Sequence, residues 1–242
     1  MTKEEFVLEC RTAFELNSLP CSDREAEALF LLTERMHEVN KSLNLTAIKE
    51  EKAIILKHYV DSLTVSTYIP DGARIIDVGC GAGFPTLPLA IFRPDLSITA
   101  LDGTAKRINY VSETAKLLDL SGVTAIAARA EELANTDGHR ESYDIATARA
   151  VASLPVLCEL TLPFVKVGGR MLAMKSLQAG DELELATNCI RLCGGEVEKI
   201  VPCDLVSTNG EKESRNIIII KKIKKTPPLY PRHYSKISKK PL

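Results

Sequence analysis

The stretch Asp77-Val78-Gly79-Cys80-Gly81-Ala82-Gly83-Phe84-Pro85 decides the fold of this chain. It follows the mostly apolar run 73–76, so a buried strand is predicted to end in a glycine loop. Pro85 suits the first turn of a helix, where its missing N–H is not needed. Glycines let a ligand approach the backbone closely, and a helix N-terminus offers it free N–H groups. The segment therefore predicts a ligand-binding loop between a strand and a helix; the alternative is that the glycines only allow the turn.

The spacing of the glycines distinguishes between two nucleoside-containing cofactors. A dinucleotide fingerprint, G-x-G-x-x-G, that began at Gly79 would need glycine at position 84, which is Phe84 in this chain. An acid two residues before the first glycine, followed by G-x-G-x-G, is instead the pattern of S-adenosylmethionine (SAM) sites. Asp77 and the three glycines have this spacing. The loop therefore favours SAM over NAD.

The composition is that of an ordinary soluble globular protein. The chain has 242 residues, of which 45% are hydrophobic and 26% charged, enough for one large α/β domain with an appendage. No apolar run is long enough to cross a membrane, and the acidic, helix-forming N-terminus is not a signal peptide. The seven cysteines form no C-x-x-C pair, and no histidine lies near Cys189 and Cys193 in sequence. We expect reduced thiols, a cytoplasmic location and no metal site.

The charge of the chain is unevenly distributed. The net charge is −1, but residues 221–242 contain eight Lys or Arg and no acid, so the remainder carries 23 basic and 32 acidic side chains. A basic tail on an acidic body favours contact with a polyanion. Tyr230 and Tyr234 lie among the basic residues, where aromatic rings can stack on bases. The alternative is a tail that only improves solubility, which would have no need of aromatic residues.

The order of the predicted elements indicates a doubly wound α/β fold. Helices are expected over 3–42 with a break at 17–22, over 50–68, and between the strands. Strands are expected at 73–79, 96–102, 123–128, 143–148, 170–174, 196–205 and 216–221. Alternation with helices predicts a mainly parallel sheet, while the last two strands lie close enough to pair antiparallel.

Seven strands with an antiparallel final strand are the arrangement of Rossmann-like class I SAM-dependent methyltransferases. On this basis the chain is divided into three parts. We expect an N-terminal helical extension packed on the core at 1–50, the methyltransferase domain at 51–223 and a basic C-terminal tail at 224–242.

Three polar positions follow predicted strands, at the edge where open parallel sheets bind ligands. Asp102 ends the second strand, where a carboxylate can accept hydrogen bonds from a ribose diol; its alternative role is to cap the following helix. Glu131 follows the third strand, near the place for a nucleoside base, and is alternatively a helix-start acid. Arg149 ends the fourth strand and can bind a phosphate or a carboxylate, or form a structural ion pair.

His58 and Asp61 lie one helical turn apart. Such a pair can act as a base or bind substrate, but it is more often a satisfied surface pair. We therefore predict no catalytic residue, and Arg149 is expected at most to position the reactants.

These residues together resemble a known family, the bacterial 16S rRNA guanine-N7 methyltransferases, also called glucose-inhibited division protein B. The resemblance runs from about residue 40 to the C-terminus. The matching segments are 44–48 (NLTAI), 58–63 (HYVDSL), 77–85 (DVGCGAGFP), 88–90 (PLA), 106–107 (KR), 129–131 (RAE), 143–144 (YD), 148–151 (ARAV), Lys175, 230–232 (YPR) and 241–242 (PL). The chain departs from the family pattern at Cys80, Thr86, Ser176, Tyr234 and Ile237.

The resemblance implies a SAM cofactor and 7-methylguanine, in a loop of 16S rRNA, as the product. The residues expected to bind or shape the SAM site, including Asp102 from its position, are Gly79, Gly81, Gly83, Phe84, Asp102, Ala130, Glu131 and Arg149. The candidates for RNA binding are His58, Lys175 and Arg232.

Guanine N7 has an in-plane lone pair and carries no proton, so its methylation needs no general base. Two other functions remain open: methyl transfer to a protein or small molecule, and a ribosome assembly factor that binds SAM without catalysis. The expected partner is 16S rRNA or the small ribosomal subunit, and the protein is expected to be a monomer without membrane contact. Removal of residues 226–242 is expected to weaken RNA binding and leave SAM affinity nearly intact.

Overall fold

The computed structural model describes residues 1–149, 152–175 and 179–242. The strands are β1 Arg74–Val78, β2 Ser97–Asp102, β3 Val123–Ala127, β4 Tyr143–Arg149, β5 Val165–Lys175, β6 Gly195–Val206 and β7 Lys212–Lys222. The helices are α1 Lys3–Leu16, α2 Asp23–Leu43, α3 Glu51–Ile54, α4 Asp61–Leu63, α5 Thr86–Phe92, α6 Ala105–Leu117, α7 Ala130–Leu133, α8 Leu154–Thr161, α9 Ala179–Leu192 and α10 Tyr234–Lys239. In this part of the chain the strands form a seven-stranded sheet in the order β3-β2-β1-β4-β5-β7-β6.

The sheet is parallel from β3 to β5, and the direction in which successive strands are added reverses at β1. β1 pairs with β2 on one side and with β4 on the other. In open α/β sheets, ligands bind in the crevice at the carboxyl ends of the strands on either side of such a reversal. The glycine loop follows β1 and Arg149 ends β4, so both lie at this crevice.

β7 runs antiparallel between β5 and β6, which confirms the predicted fold class and the predicted pairing of the last two strands. β5 begins at Val165 and is longer than the predicted strand 170–174. Gly168 and Gly169 lie within β5, where the pairing with β4 shifts register. A Cβ at Gly169 would lie 2.5 Å from the carbonyl oxygen of Asp144, so the backbones approach too closely there for a side chain.

The N-terminal helices share one hydrophobic core with the sheet and the glycine loop. α2 begins with the predicted capping box between Ser22 and Glu25. Phe14 of α1 is fully buried and its ring stacks on Phe92 of α5, with the ring centroids 5.1 Å apart. The described part of the chain has no helix that is both long enough and apolar enough to span a membrane.

The helix predicted over 50–68 is divided into several short pieces. α3 leads into a π-helical turn, Ile55–Val60, which is followed by α4 and a 3-10 turn, Ser66–Tyr68. Apolar spacing alone does not reveal such a widened turn. π-Helical turns are frequent at functional sites, and this one contains His58 and directly precedes Asp61.

The C-terminal segment, residues 224–242, is packed against the body of the protein. Arg140 donates hydrogen bonds to the carbonyl oxygens of Thr226 at 3.0 Å, Pro227 at 3.2 Å and Tyr230 at 3.1 Å. Ile237 of α10 is fully buried beside α8. The division of the chain into three parts stays a prediction, but the tail in this structure is not a free arm.

Candidate cofactor and acceptor site

The glycine loop adopts a backbone conformation that its three glycines make possible. Gly79, Gly81 and Gly83 have φ values of +74°, +57° and +84°, in the left-handed region that disfavours residues with a Cβ. A Cβ at Gly83 would lie 2.6 Å from Cδ1 of Leu87, whereas one at Gly81 would meet nothing closer than 4.0 Å. Gly83 is therefore needed for packing, and Gly81 leaves open space at the crevice for a ligand.

Asp77 of β1 stabilises the glycine loop by bonding to α5, which follows the loop, and to β4. Its side chain is 1% exposed and accepts hydrogen bonds from Thr86 Oγ1 at 2.7 Å and Thr147 Oγ1 at 3.1 Å. Burial raises the pKa of Asp77 to about 6, although both hydrogen bonds oppose this rise. Thr86, where the resembling family usually has glycine, thus supplies a hydroxyl that holds β1 to α5. Pro85 lies at the N-cap position of α5, one residue before the first helical turn in which it was predicted.

Asp102 connects the end of β2 to the glycine loop. Its Oδ2 accepts a hydrogen bond from the Gly81 N–H at 3.1 Å, and its Oδ1 accepts one from the Thr104 N–H at 2.8 Å. The second bond is made to the N-cap residue of α6, which has no side-chain cap, so Asp102 orders the turn before this helix and does not cap the helix as the sequence suggested as an alternative. Since each carboxylate oxygen has two lone pairs, both oxygens can still accept from a diol. Asp102 therefore combines a structural role with a geometry that fits a ribose.

Ala130 and Glu131 begin α7 directly after β3, at the same edge of the sheet. Glu131 is 7% exposed, and its Oε1 accepts a hydrogen bond from the Tyr234 N–H at 3.3 Å. The guanidinium of Arg129 lies over the Tyr234 ring, 6.0 Å from its centroid. The C-terminal segment thus contacts the predicted adenine side of the crevice.

Arg149 links the glycine loop to the helical segment that precedes β1. Its Nη1 donates to the Lys57 carbonyl oxygen and to Asp61 Oδ2, each at 2.8 Å. Its guanidinium carbon lies 5.3 Å from the centroid of the Phe84 ring. The structural ion pair that the sequence suggested as an alternative for Arg149 is therefore present, with Asp61 as the partner. Asp61 is buried, and the pair lies at the crevice.

His58 packs between Arg149 and the glycine loop. Its ring stacks on Phe84 with centroids 4.5 Å apart, and Nε2 lies 2.9 Å from Thr46 Oγ1. Nδ1 lies 3.4 Å from Nη2 of Arg149, an arginine nitrogen that can only donate, so we assign the ring proton to Nε2. Burial, reinforced by the positive charge of Arg149, lowers the pKa of His58 to about 3. The neutral ring offers no charge to an RNA phosphate, and the structure pairs Asp61 with Arg149 rather than with His58.

The buried neutral His58 predicts a loss of stability in acid. Because its pKa falls from about 6.5 to about 3 on folding, its contribution is present above pH 6.5 and is lost as the pH falls toward 3. We expect wild type to lose up to about 1.4 kcal/mol per pH unit in this window relative to His58→Gln. Urea unfolding of wild type and His58→Gln between pH 7 and about 4 measures this difference in stability. The titration of Asp77 affects both proteins equally and therefore cancels. Parallel pH profiles would contradict the assignment.

A cavity of about 470 Å³, here called the Arg149 cavity, opens beside this cluster. Its polar and charged lining residues are Lys57, His58, Asp61, Thr64, Arg149, Lys175, Glu182, Arg215 and Asn216, and its other lining residues are Ile48, Met174, Cys203 and Ile217. Lys175 Nζ donates to the Ala152 carbonyl oxygen and to Glu182 Oε2, each at 2.7 Å. The cavity therefore joins the ends of β4, β5 and β7 to the π-helical turn.

Arg232 lies away from this cavity and is used within the fold. Its Nε donates to Glu159 Oε1 at 2.8 Å and its Nη2 donates to Glu159 Oε2 at 2.7 Å. Glu159 is 0% exposed, so the ion pair is largely buried. The charge of the tail gave no sign of this buried carboxylate in α8, and RNA binding by Arg232 stays a prediction.

The structure brings the glycine loop, Asp102, Arg149, His58 and Lys175 to one edge of the sheet, at the carboxyl ends of β1, β2, β4 and β5. Asp61, Arg215 and Glu182 were not predicted as site residues. The segment 58–63 gave a signal for Asp61, whereas Arg215 and Glu182 are recognisable only from the pairing of β7 and the position of α9. Ala150 and Val151 of the family segment, and the departure at Ser176, lie outside the described residues.

The sheet order and the glycine loop at the reversal of β1 define a class I SAM-dependent methyltransferase. A solved structure of a SAM-dependent O-methyltransferase from Thermotoga maritima has the same fold, with a TM-score of 0.51 and 15% identity over 81% of this chain and 72% of that one. At that identity the likeness concerns the fold alone.

Sequence relatives identify the family. The family model described as GidB, rRNA small subunit methyltransferase G, matches residues 25–213. The ribosomal RNA small subunit methyltransferase G of Staphylococcus carnosus is 44% identical over 93% of this chain and 94% of its own length. That of Acetivibrio thermocellus is 42% identical over 91% of this chain and 90% of its own length. The chain belongs to the rRNA small subunit methyltransferase G family, and its cofactor is SAM.

Proposed function

We propose that this protein transfers the methyl group of SAM to N7 of a guanine in 16S rRNA. The observation that carries the proposal is the Arg149 cavity, whose basic lining residues are Lys57, Arg149, Lys175 and Arg215. Two of its lining residues, His58 and Arg149, contact Phe84 of the glycine loop. Four cations against the two carboxylates Asp61 and Glu182 leave the cavity with a net positive charge, which suits an anionic acceptor such as RNA. The names of the relatives, which are rRNA methyltransferases, point the same way.

When bound, SAM supplies an electrophilic methyl group on a sulfonium centre. Guanine N7 attacks with its own lone pair and loses no proton, so the protein needs to provide alignment rather than a base. His58, the imidazole nearest the loop among the described residues, is already held by Thr46 and Arg149. Correct alignment of two reactants can contribute about 7–11 kcal/mol to lowering a barrier.

The residues proposed to hold the cofactor are Gly79, Gly81, Gly83, Phe84, Asp102, Ala130, Glu131 and Arg149. The three glycines and Asp102 support this through the open space at Gly81 and the carboxylate at the end of β2. Phe84 is 5% exposed and its ring packs on His58, so we propose that its backbone, rather than its ring, borders the cofactor.

Lys175 and His58 are proposed to border the acceptor. Lys175 would attract the RNA by its positive charge, and the neutral ring of His58 would form part of the wall of the site. N7 lies in the major groove, which is too deep and narrow in A-form RNA for side chains to read. The substrate is therefore an unpaired or splayed guanine. The proposed partner is 16S rRNA or the small ribosomal subunit, and a monomeric state and a cytoplasmic location stay predictions.

The test is to incubate the protein with SAM carrying a labelled methyl group and with small subunits, naked rRNA or protein, and then to map the label. We expect label on one guanine of 16S rRNA. The matched control substrate carries 7-deazaguanosine at that position, which lacks N7 and should remain unlabelled. If no assembly state of the rRNA is labelled, the proposal is wrong; SAM binding without turnover would instead favour a non-catalytic assembly factor.

A further inference from the structure

Asp61 is a buried carboxylate in the Arg149 cavity for which methyl transfer itself has no use. Asp61 is 6% exposed and directly follows the π-helical turn in the chain. Oδ2 is bound by Arg149 at 2.8 Å. Oδ1 has Arg215 Nε at 3.6 Å, beyond hydrogen-bond range, and receives no hydrogen bond from the residues that the structure describes.

Oδ1 therefore keeps lone pairs that can accept hydrogen bonds from a molecule in the cavity. Because Asp61 lines the cavity, a ligand that fills the cavity can supply the missing donor. The ligand must present N–H groups to a carboxylate, since Asp61 is already paired with a cation on its other oxygen. All four RNA bases carry an N–H donor, but guanine alone has two adjacent N–H donors on its Watson–Crick edge, which suits the two oxygens of a carboxylate.

Guanine has N1–H and the N2 amino group side by side on its Watson–Crick edge, and both can donate to one carboxylate. Adenine has an acceptor at N1, which a carboxylate repels. Guanine also has O6 as an acceptor, and Lys175 and Arg215 provide donors on the walls of the cavity. The apolar side chains of Met174 and Ile217, which are 6% and 2% exposed, line the cavity as surfaces for the faces of a flat base.

We propose that Asp61 selects guanine as the target base, by accepting hydrogen bonds from N1–H and N2–H in the Arg149 cavity. N7 lies on the imidazole side of the purine, away from these two groups, so this contact leaves N7 free for methylation. The inference rests on the proposed function and names the residue that determines its base specificity. Arg149, by holding Oδ2, fixes the orientation of the Asp61 carboxylate.

The experiment compares guanosine with inosine at the target position of a 16S rRNA substrate. Inosine keeps N7 but lacks the N2 amino group. For wild type we expect kcat/KM to be about 10- to 100-fold higher with guanosine, because one charge-assisted hydrogen bond is lost with inosine. In Asp61→Ala the guanosine-to-inosine ratio of kcat/KM should fall toward one, since the carboxylate that accepts the hydrogen bond from the amino group is missing.

Asp61→Asn is the second variant, because it keeps the size of the side chain if the alanine variant fails to fold; its ratio should be lower than that of wild type. Glu213→Gln is the matched control, since Glu213 pairs with Arg215 at 2.9 Å but does not line the cavity, and its ratio should equal that of wild type. A wild-type ratio of one, or a ratio that Asp61 substitutions leave unchanged, overturns the inference. Failure of wild type to methylate the guanosine substrate would instead contradict the proposed function, so the two failures are distinguishable.

Discussion

Arg232→Ala is expected to lower the free energy of unfolding by about 3–5 kcal/mol. Arg232 donates hydrogen bonds to both carboxylate oxygens of Glu159, which is 0% exposed. Without the guanidinium the buried carboxylate keeps the Arg232 backbone N–H at 2.9 Å but loses its opposite charge. Urea unfolding followed by circular dichroism measures the loss. The sequence alone predicts that loss of the tail leaves SAM affinity nearly intact. The contact of α10 with Glu131 replaces that expectation, and we expect Arg232→Ala to weaken SAM binding as measured by calorimetry.

The controls for this prediction are a surface arginine and a double variant. Arg11→Ala removes an exposed ion pair with Asp23 and should lower stability by less than about 1 kcal/mol. Arg232→Met combined with Glu159→Leu removes both buried charges and should be more stable than Arg232→Ala. If Arg232→Ala weakened RNA binding alone and left stability and SAM affinity unchanged, the original interpretation of Arg232 as an RNA ligand would be correct.

Arg149→Ala is expected to reduce kcat/KM for rRNA methylation by about 100-fold or more and to destabilise the fold by about 3–5 kcal/mol. The substitution leaves Asp61 buried with Arg215 at 3.6 Å as its remaining cation among the described residues. It also removes the group that holds His58 and lies over Phe84, so the alignment of the crevice is lost. Initial rates at saturating and limiting rRNA, together with urea unfolding, give both quantities.

Arg149→Lys separates charge from geometry. Lysine keeps a positive charge beside Asp61, but it lacks the planar guanidinium, whose Nη1 binds Lys57 and Asp61 while Nη2 faces His58. Most of the stability should therefore return while kcat/KM remains low. Arg170→Ala, which removes a partly exposed ion pair with Glu198, is the matched arginine control and should leave methylation unchanged. Full activity of Arg149→Lys would show that charge alone is required.

The fold was predictable because local signals in this chain agree with the global arrangement. The glycine loop, the alternation of strands and helices, and the capping box at Ser22 each predict what the structure contains. The long start of β5 was missed because Gly168 and Gly169 are typical turn residues, whereas here Gly169 allows a close approach to the backbone of Asp144. Only the pairing with β4 reveals that role.

The site was predictable where a residue follows a strand, and less so where it depends on a distant partner. Asp102 and Arg149 lie where the order of strands places them. The ion pair of Arg232 was not foreseen because Glu159, its partner, is 73 residues away in sequence, and the prediction that Arg232 binds RNA stays a prediction. The low pKa of His58 likewise depends on burial and on Arg149, which is 91 residues away. Rules based on the local spacing of residues cannot identify partners that are so far apart in sequence.

The hydrogen bond from the Tyr234 N–H to Glu131 has a thermodynamic consequence for the order of binding events. On the proposal that Glu131 holds the cofactor, a ligand whose contact with the tail strengthens this bond would raise the affinity of the crevice for SAM. By linkage, the cofactor must then raise the affinity for that ligand by the same factor. Donor and acceptor would thus favour each other's retention before transfer, while a substrate that pulled the tail away would promote release of the spent cofactor.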